Sequence, residues 1–301
     1  MTDAPDHEFG PVSHRIEPRW AMNYAAAVLD PNPALLGESR TVHCGYLAHL
    51  EWLIRQRIRE APVLAGARSV VQLTSSTSMM RPLEWDDDLE VTGRISSITP
   101  TATATVVATE FVVTHKTTAT TAAITTATSL YRGLKLPPMA DLPPDEHRMP
   151  PPGHGQLPLS SAVEIEFTDV AAHVYSECAR IWVPFHTDLR ESQRAGFPRL
   201  ILHGTATLSY CLSALLGAVG VTDHARVKHF RCGFRKPVFV GTRARLVYAT
   251  HEDETGTVVD FELRDPEGVP LLSDGVVTLA PAPQLLEPLW GTPQSLAQHS
   301  G

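Results

Sequence analysis

The chain repeats itself: one long helix with an apolar stripe, followed by four β-rich segments, occurs twice, on either side of a proline-dense stretch. In the first half GYLAHLEWLIRQRIRE begins at Gly45 and puts Leu47, Leu50, Ile54 and Ile58 on one helical face, with Arg55, Arg57 and Arg59 gathering toward its C-terminal end. The segments SVVQLTSSTSMM, DLEVTGRISSI, TATVVATEFVVTH and ATTAAITTATSLY follow, each rich in β-branched residues and bounded by turn or polar breaks. The second half opens with a short strand, VEIEF, and then the helix GTATLSYCLSALLG, whose stripe is Leu208, Cys211, Leu212, Leu215 and Leu216. Four strand candidates come after it: RVKHFRCGFRKPVF, TRARLVYATH, GTVVDFELR and PLLSDGVVTLA. The expectation is an α+β fold in which each half is a long central helix wrapped by an antiparallel sheet.

The dividing stretch, KLPPMADLPPDEHRMPPPGHGQLP, has a proline density that forbids a helix interior or a central strand. The predicted organisation is a first domain at 1–134, a linker at 135–158, a second domain at 159–283 and a tail at 284–301. Residue register supports duplication. Tyr24 and Tyr175 are 151 apart, as are Pro33 and Pro184, whereas His43 and His203, each just ahead of a long helix, are 160 apart. The second half therefore holds nine extra residues, placed in TDLRESQRAGFPRL.

A net charge of -8 argues against a protein whose main work is holding nucleic-acid phosphates. The basic segment from His229 to Arg245 reads either as a solvated strand face or as a place to meet a phosphate-bearing group such as coenzyme A. Cys44, Cys178, Cys211 and Cys232 are scattered without metal-like or disulfide-like spacing, so neither a metal site nor a disulfide framework is expected. With no signal-like start and no apolar run of about 18 residues, a cytoplasmic, membrane-free location is the expectation.

One segment carries chemistry. Tyr175 leads into Ala179-Arg180-Ile181-Trp182-Val183-Pro184-Phe185-His186, then Thr187-Asp188, Ala195-Gly196-Phe197 and Ile201-Leu202-His203-Gly204. In order and spacing this resembles the MaoC-like, R-specific enoyl-CoA hydratases and dehydratases, whose motif is an aromatic residue, S-G-D-x-N-P-I-H, an A-G-F turn and I-x-H-G. The resemblance implies a tandem hotdog fold and a hydro-lyase acting on an acyl thioester, carried by coenzyme A or by the phosphopantetheine of an acyl carrier protein, with no further cofactor. It also implies His186 as acid/base, and Gly204 with His203 at the site that holds the thioester oxygen. Ile181, Trp182, Val183, Phe185, Phe197 and Thr205 are then the expected substrate-contacting residues. The chain is expected to work as one fused pair of hotdogs or as a homodimer of such pairs.

The match departs from the motif at three positions: Ile181 stands for the aspartate, Val183 for the asparagine and Arg180 for the glycine. Adding or removing water next to a thioester needs a proton acceptor and a proton donor, so loss of the aspartate is a change in chemistry. Asp188, Glu177 and Asp169 are the nearby carboxylates, and Asp188 also reads as a helix cap. The first half is broken in the complementary way, with Leu29-Asp30-Pro31-Asn32-Pro33 in place but Leu35 where the histidine belongs. Asp30 reads as a turn residue in a pocket separate from His186. Glu51 and His49, inside the first long helix, suggest a second enzyme class. With Glu51 or a lone His186, thioester hydrolysis, double-bond migration or cyclisation are alternatives, and a non-catalytic acyl-binding scaffold is a third.

Overall fold

The computed structural model describes residues 8–139, 159–254 and 256–281. It contains one ten-stranded antiparallel sheet. In chain order the strands are β1 (Glu8–Arg15), β2 (Ser69–Met79), β3 (Asp88–Pro100), β4 (Ala104–His115), β5 (Thr120–Arg132), β6 (Ser161–Phe167), β7 (Val227–Phe234), β8 (Thr242–Asp253), β9 (Gly256–Arg264) and β10 (Pro270–Leu279). Their spatial order is β1-β3-β4-β5-β2-β7-β10-β9-β8-β6. Each half thus has the same five-strand order, and the two meet where β2 pairs antiparallel with β7, Thr74 opposite Gly233 through Ser78 opposite His229.

The helices are α1 (Pro18–Ala27), α2 (Leu47–Arg59), α3 (Ala171–Ala179), α4 (Pro184–Thr187), α5 (Leu189–Arg194) and α6 (Gly204–Ala218). Alternation along β9 sends Val259, Phe261 and Leu263 to the face that is fully buried, as expected for a strand covering a central helix. The stripe of α2 (Leu47, Leu50, Ile54 and Ile58) and that of α6 (Cys211, Leu212, Leu215 and Leu216) are buried in the same continuous core. Close seating of α2 depends on Gly93 of β3, where a Cβ would stand 2.6 Å from Ile54 Cγ2.

Two features go beyond the sequence reading. The first half has five strands rather than four, because EFGPVSHR pairs with β3 as the edge strand β1, its register broken between Phe9 and Val12. Proline lacks a donor, and an edge is where a strand tolerates it. The short helices α1 and α3 pack against each other across the two halves. The nine extra residues of the second half form α5, while the first half has only a 3₁₀ turn at Pro33–Leu35 in that region. Duplication extends to the backbone: Leu29 and Arg180, 151 apart, both adopt the left-handed conformation, with φ of 55° and 56°. Of the expected linker, 135–139 lies against the first half, with Met139 bridged to Ile98 and Leu136 N–H donated to Thr105 Oγ1. The rest of the linker and the tail at 284–301 lie outside the described residues. Among the described residues no helix is long and apolar enough to cross a membrane.

Candidate active site

Arg180 ends α3 in the left-handed conformation, at the position where the motif has glycine, and turns the chain back through an extended 181–183 segment. Proline then starts α4 and places His186 in its single turn. His186 Nδ1 lies 2.9 Å from the carbonyl oxygen of Ile201. A carbonyl only accepts, so the proton is on Nδ1 and Nε2 keeps its lone pair. Burial lowers the His186 pKa to about 4, with a small opposing effect of that carbonyl bond. The ring is a neutral base at physiological pH.

His203, the residue before α6, supplies the second imidazole. Its Nε2 faces the Ile181 carbonyl at 3.2 Å and Ser176 Oγ at 3.4 Å, which fixes the proton there. Its Nδ1 is buried with no hydrogen-bond partner among the described residues. Burial, and then the neighbouring His186, hold its pKa well below the usual range. The two rings stack with centroids 3.6 Å apart and planes 26° apart. The stacked rings therefore carry two unprotonated nitrogens, His186 Nε2 and His203 Nδ1.

The stack sits in the wall of a cavity of about 760 Å³ that runs between the two halves, along α2 and past the start of α6. Gly204, Thr205, Ile181, Val183, Phe185 and Phe197 also border it. Helix geometry leaves the first backbone N–H groups of α6 unpaired, and the positive end of the helix dipole points the same way. Gly204 keeps that approach open, since a Cβ there would stand 3.1 Å from the Phe234 ring. Trp182 is a correction to the expected set. It is 56% exposed and absent from the cavity wall, with its ring N–H 3.3 Å from Glu177 Oε1. In an extended segment neighbouring side chains alternate in direction, so Ile181 and Val183 face the cavity and Trp182 faces away.

None of the candidate carboxylates reaches His186. Asp188 accepts from the backbone of Arg190 and Glu191 as the cap of α5, and Glu177 takes the Trp182 N–H. Asp169 lies at the Gly241 turn, and Glu51, 4% exposed, is bonded to Arg55 at 2.9 Å. The cavity wall includes Arg55, Arg59, Arg68, Arg132, Arg194, Arg235 and Lys236 but no aspartate or glutamate. Within the basic segment His229 to Arg245, Arg235 and Lys236 thus face the cavity, while Arg243 and Arg245 pair with Glu166 and Glu164 on the neighbouring strand β6.

Sequence reasoning missed a second polar centre. Asp30, at the position that corresponds to Ile181, is buried with its Oδ2 3.5 Å from both His43 Nε2 and His224 Nε2. His43, Cys44 and His224 bring one ligand-type atom each within 4.8 Å of one another. The donor set does not suit a cation. His43 Nδ1 accepts the Gly45 N–H at 2.9 Å, so the proton is on Nε2, and an N–H rather than a lone pair points to Ser213 Oγ and Asp30. The Cys44 thiol is held protonated, its pKa raised to about 12 by burial and by the Asp30 charge. The centre works as a strut between the halves, reinforced by Asn32 Nδ2 donating to the Thr222 carbonyl.

Fold and site together define a double hotdog protein: two helix-wrapping half-sheets fused in one chain, with an open cavity between them. Residues 158–265 match the family described as MaoC like domain. Solved structures agree on the fold over nearly the whole chain. A MaoC-like dehydratase from Phytophthora capsici superposes with a TM-score of 0.74 at 18% identity, covering 92% of this chain and 98% of that one. HtdX from Mycobacterium tuberculosis gives 0.64 at 20% identity, covering 90% and 100%. A Mycobacterium tuberculosis protein described as having a double hotdog fold gives 0.61 at 11% identity, covering 90% and 94%.

Proposed function

We propose that the protein is a hydro-lyase that adds water to, or removes it from, an acyl thioester, with a histidine pair in place of the usual aspartate and histidine. The observation that carries this reading is the cavity itself. In a chain of net charge -8, seven basic side chains and, among the described residues, no carboxylate line a space whose wall includes the two stacked imidazoles and the start of α6. Phosphates of coenzyme A or of a carrier protein's phosphopantetheine suit the basic rim. The four cysteines are unbonded, and a reducing cytoplasm is part of the same reading.

In the hydration direction the thioester oxygen lies at the N-terminus of α6, where unpaired N–H groups stabilise the enolate. A water donates one hydrogen to His203 Nδ1 and the other to His186 Nε2. As its oxygen bonds to the β-carbon, the proton passes to His186 and from there to the α-carbon, returning the ring to its neutral form. Dehydration runs the same steps backward. Ile181 and Val183 surround the water with apolar surface, which keeps both rings unprotonated.

The test is turnover of a panel of 2-enoyl-CoA and 3-hydroxyacyl-CoA thioesters by the wild type, His186→Ala and His203→Ala. Both variants are expected to lose at least about 10²-fold in kcat. Unchanged turnover in His186→Ala would remove that residue from the reaction. Release of free thiol that depends on Glu51 would indicate hydrolysis instead, and binding without turnover would indicate a scaffold.

A further inference from the structure

The first-half wall of the cavity is not purely aliphatic. Beside the apolar Ala48, Ile58, Val70 and Val71 it carries Trp52 and Arg55 of α2 with Thr109, Phe111 and Tyr131 of β4 and β5. Trp52 Nε1 is a buried N–H with no hydrogen-bond partner among the described residues. The Arg55 guanidinium lies over the Phe111 ring at 4.5 Å and gives one N–H to Glu51, which leaves other donors of its fork for the cavity. Tyr131 is buried, and burial raises its pKa against the opposing charges of Arg55 and Arg59, so both guanidiniums act on this phenol. A plain hydrocarbon laid here would leave the Trp52 N–H unpaired and strip water from the free donors of Arg55 and the Tyr131 hydroxyl, at roughly 1–3 kcal/mol for each unpaired group.

We infer that this end of the cavity holds a carboxylate at the far end of the acyl chain, so that the substrate is the monothioester of a dicarboxylic acid. This rests on the thioester reading above. Geometry sets the span: Ala48 and Thr205 border the cavity, and Arg55 lies two helical turns further along α2, roughly 10 Å at 1.5 Å per residue. The chain is therefore short to medium. Arg59, Arg68 and Arg132 are exposed at the rim and suit the phosphates of the carrier, whereas Arg55 is recessed.

The experiment compares hex-2-enedioyl-CoA with hex-2-enoyl-CoA, by kcat/KM and by calorimetric binding. The proteins are the wild type, Trp52→Phe, Tyr131→Phe and the charge-balanced double variant Glu51→Gln/Arg55→Gln. The wild type is expected to prefer the acid by about 10²-fold or more, and each Phe variant to cut that preference several-fold to about tenfold. Free CoA, as a competitor, reports the phosphate source: its affinity is expected to stay unchanged in the double variant. Equal handling of the two thioesters by the wild type overturns the inference, as does a double variant that weakens free CoA as much as the acid. If neither thioester is turned over, the hydro-lyase reading fails, and the calorimetric preference still decides this one. If the double variant does not fold, the two Phe variants carry the test.

Discussion

Acid should destabilise this protein well before its carboxylates titrate, because it buries neutral histidines. Burial lowers the pKa of His186 to about 4, of His49 to about 3 and of the half-buried His14 to about 4. His49 shows the cause: its Nδ1 faces the Ala179 carbonyl at 2.9 Å, while Nε2 is buried without a partner and has no room for a hydrated proton. In the unfolded chain each ring titrates near 6.5. Below that pH the unfolded state binds protons that the folded state refuses, so stability is full above about 6.5 and falls as pH drops toward 4, where the folded rings begin to protonate too. Each fully shifted ring costs about 1.4 kcal/mol per pH unit, about 2 kcal/mol by pH 5, and the three together about 5 after allowance for the exposure of His14. That approaches the whole stability of many proteins. Urea titrations at steps between pH 7.5 and 5 should show the midpoint falling by at least about 1 M, with a limiting slope above three protons, because the buried His43, His203 and His224 are lowered as well. His49→Gln should lower that slope by about one proton. A midpoint that stays constant from pH 7 to pH 5 would show that these rings are not held neutral, and the proposed pair of lone pairs at His186 and His203 would fall with it.

The same shift predicts that the acid limb of kcat/KM lies near pH 4 to 5 rather than near 6.5, read from a pH profile over the range where the fold survives. Gly204→Ala would press a methyl group to 3.1 Å from Phe234 and into the approach to the α6 N-terminus, so kcat should fall about tenfold or more while the urea midpoint hardly moves. Leu29→Gly should raise stability by about 0.5–1 kcal/mol, because an exposed leucine there holds φ at 55°, a conformation that glycine adopts freely. Trp182→Ala should leave turnover within about twofold of wild type, since this side chain faces solvent.

What the sequence disclosed was whatever repeats or alternates. The stripes of α2 and α6 and the β-branched strands follow from local periodicity, and β9 runs from Gly256 to Arg264 as its sequence implies. The edge strand β1 was hidden by Gly10 and Pro11, which read as a loop until β3 is there to pair with them. The alternation that turns Trp182 away from the cavity was available in Ile181-Trp182-Val183, but it needed the knowledge that this segment is extended. The His203 stack on His186 and the Asp30, His43 and His224 strut were not legible at all. His186 and His203 stand in one motif segment, but their stacking depends on how the turn after α3 meets the start of α6, and His224 reaches Asp30 and His43 only through the pairing of one half against the other.

Comparison of the two halves shows corresponding positions put to different uses. His43 and His203 hold corresponding places ahead of the long helices, yet they use their rings differently. His43 spends Nδ1 on the Gly45 N–H, and its Nε2 proton bonds Ser213 of the opposite half. His203 leaves Nδ1 free and lies against His186. At the position of the motif aspartate the halves differ in the same sense, with Asp30 facing two histidines at 3.5 Å in one and Ile181 facing the cavity in the other. In a fused pair one pocket is enough for catalysis, so the polar residues of the other are free to serve the interface between the halves. The aspartate of the first half is then structural, and on the proposed reading reactivity in the second half comes from the unprotonated imidazoles that the apolar residue at position 181 helps keep neutral.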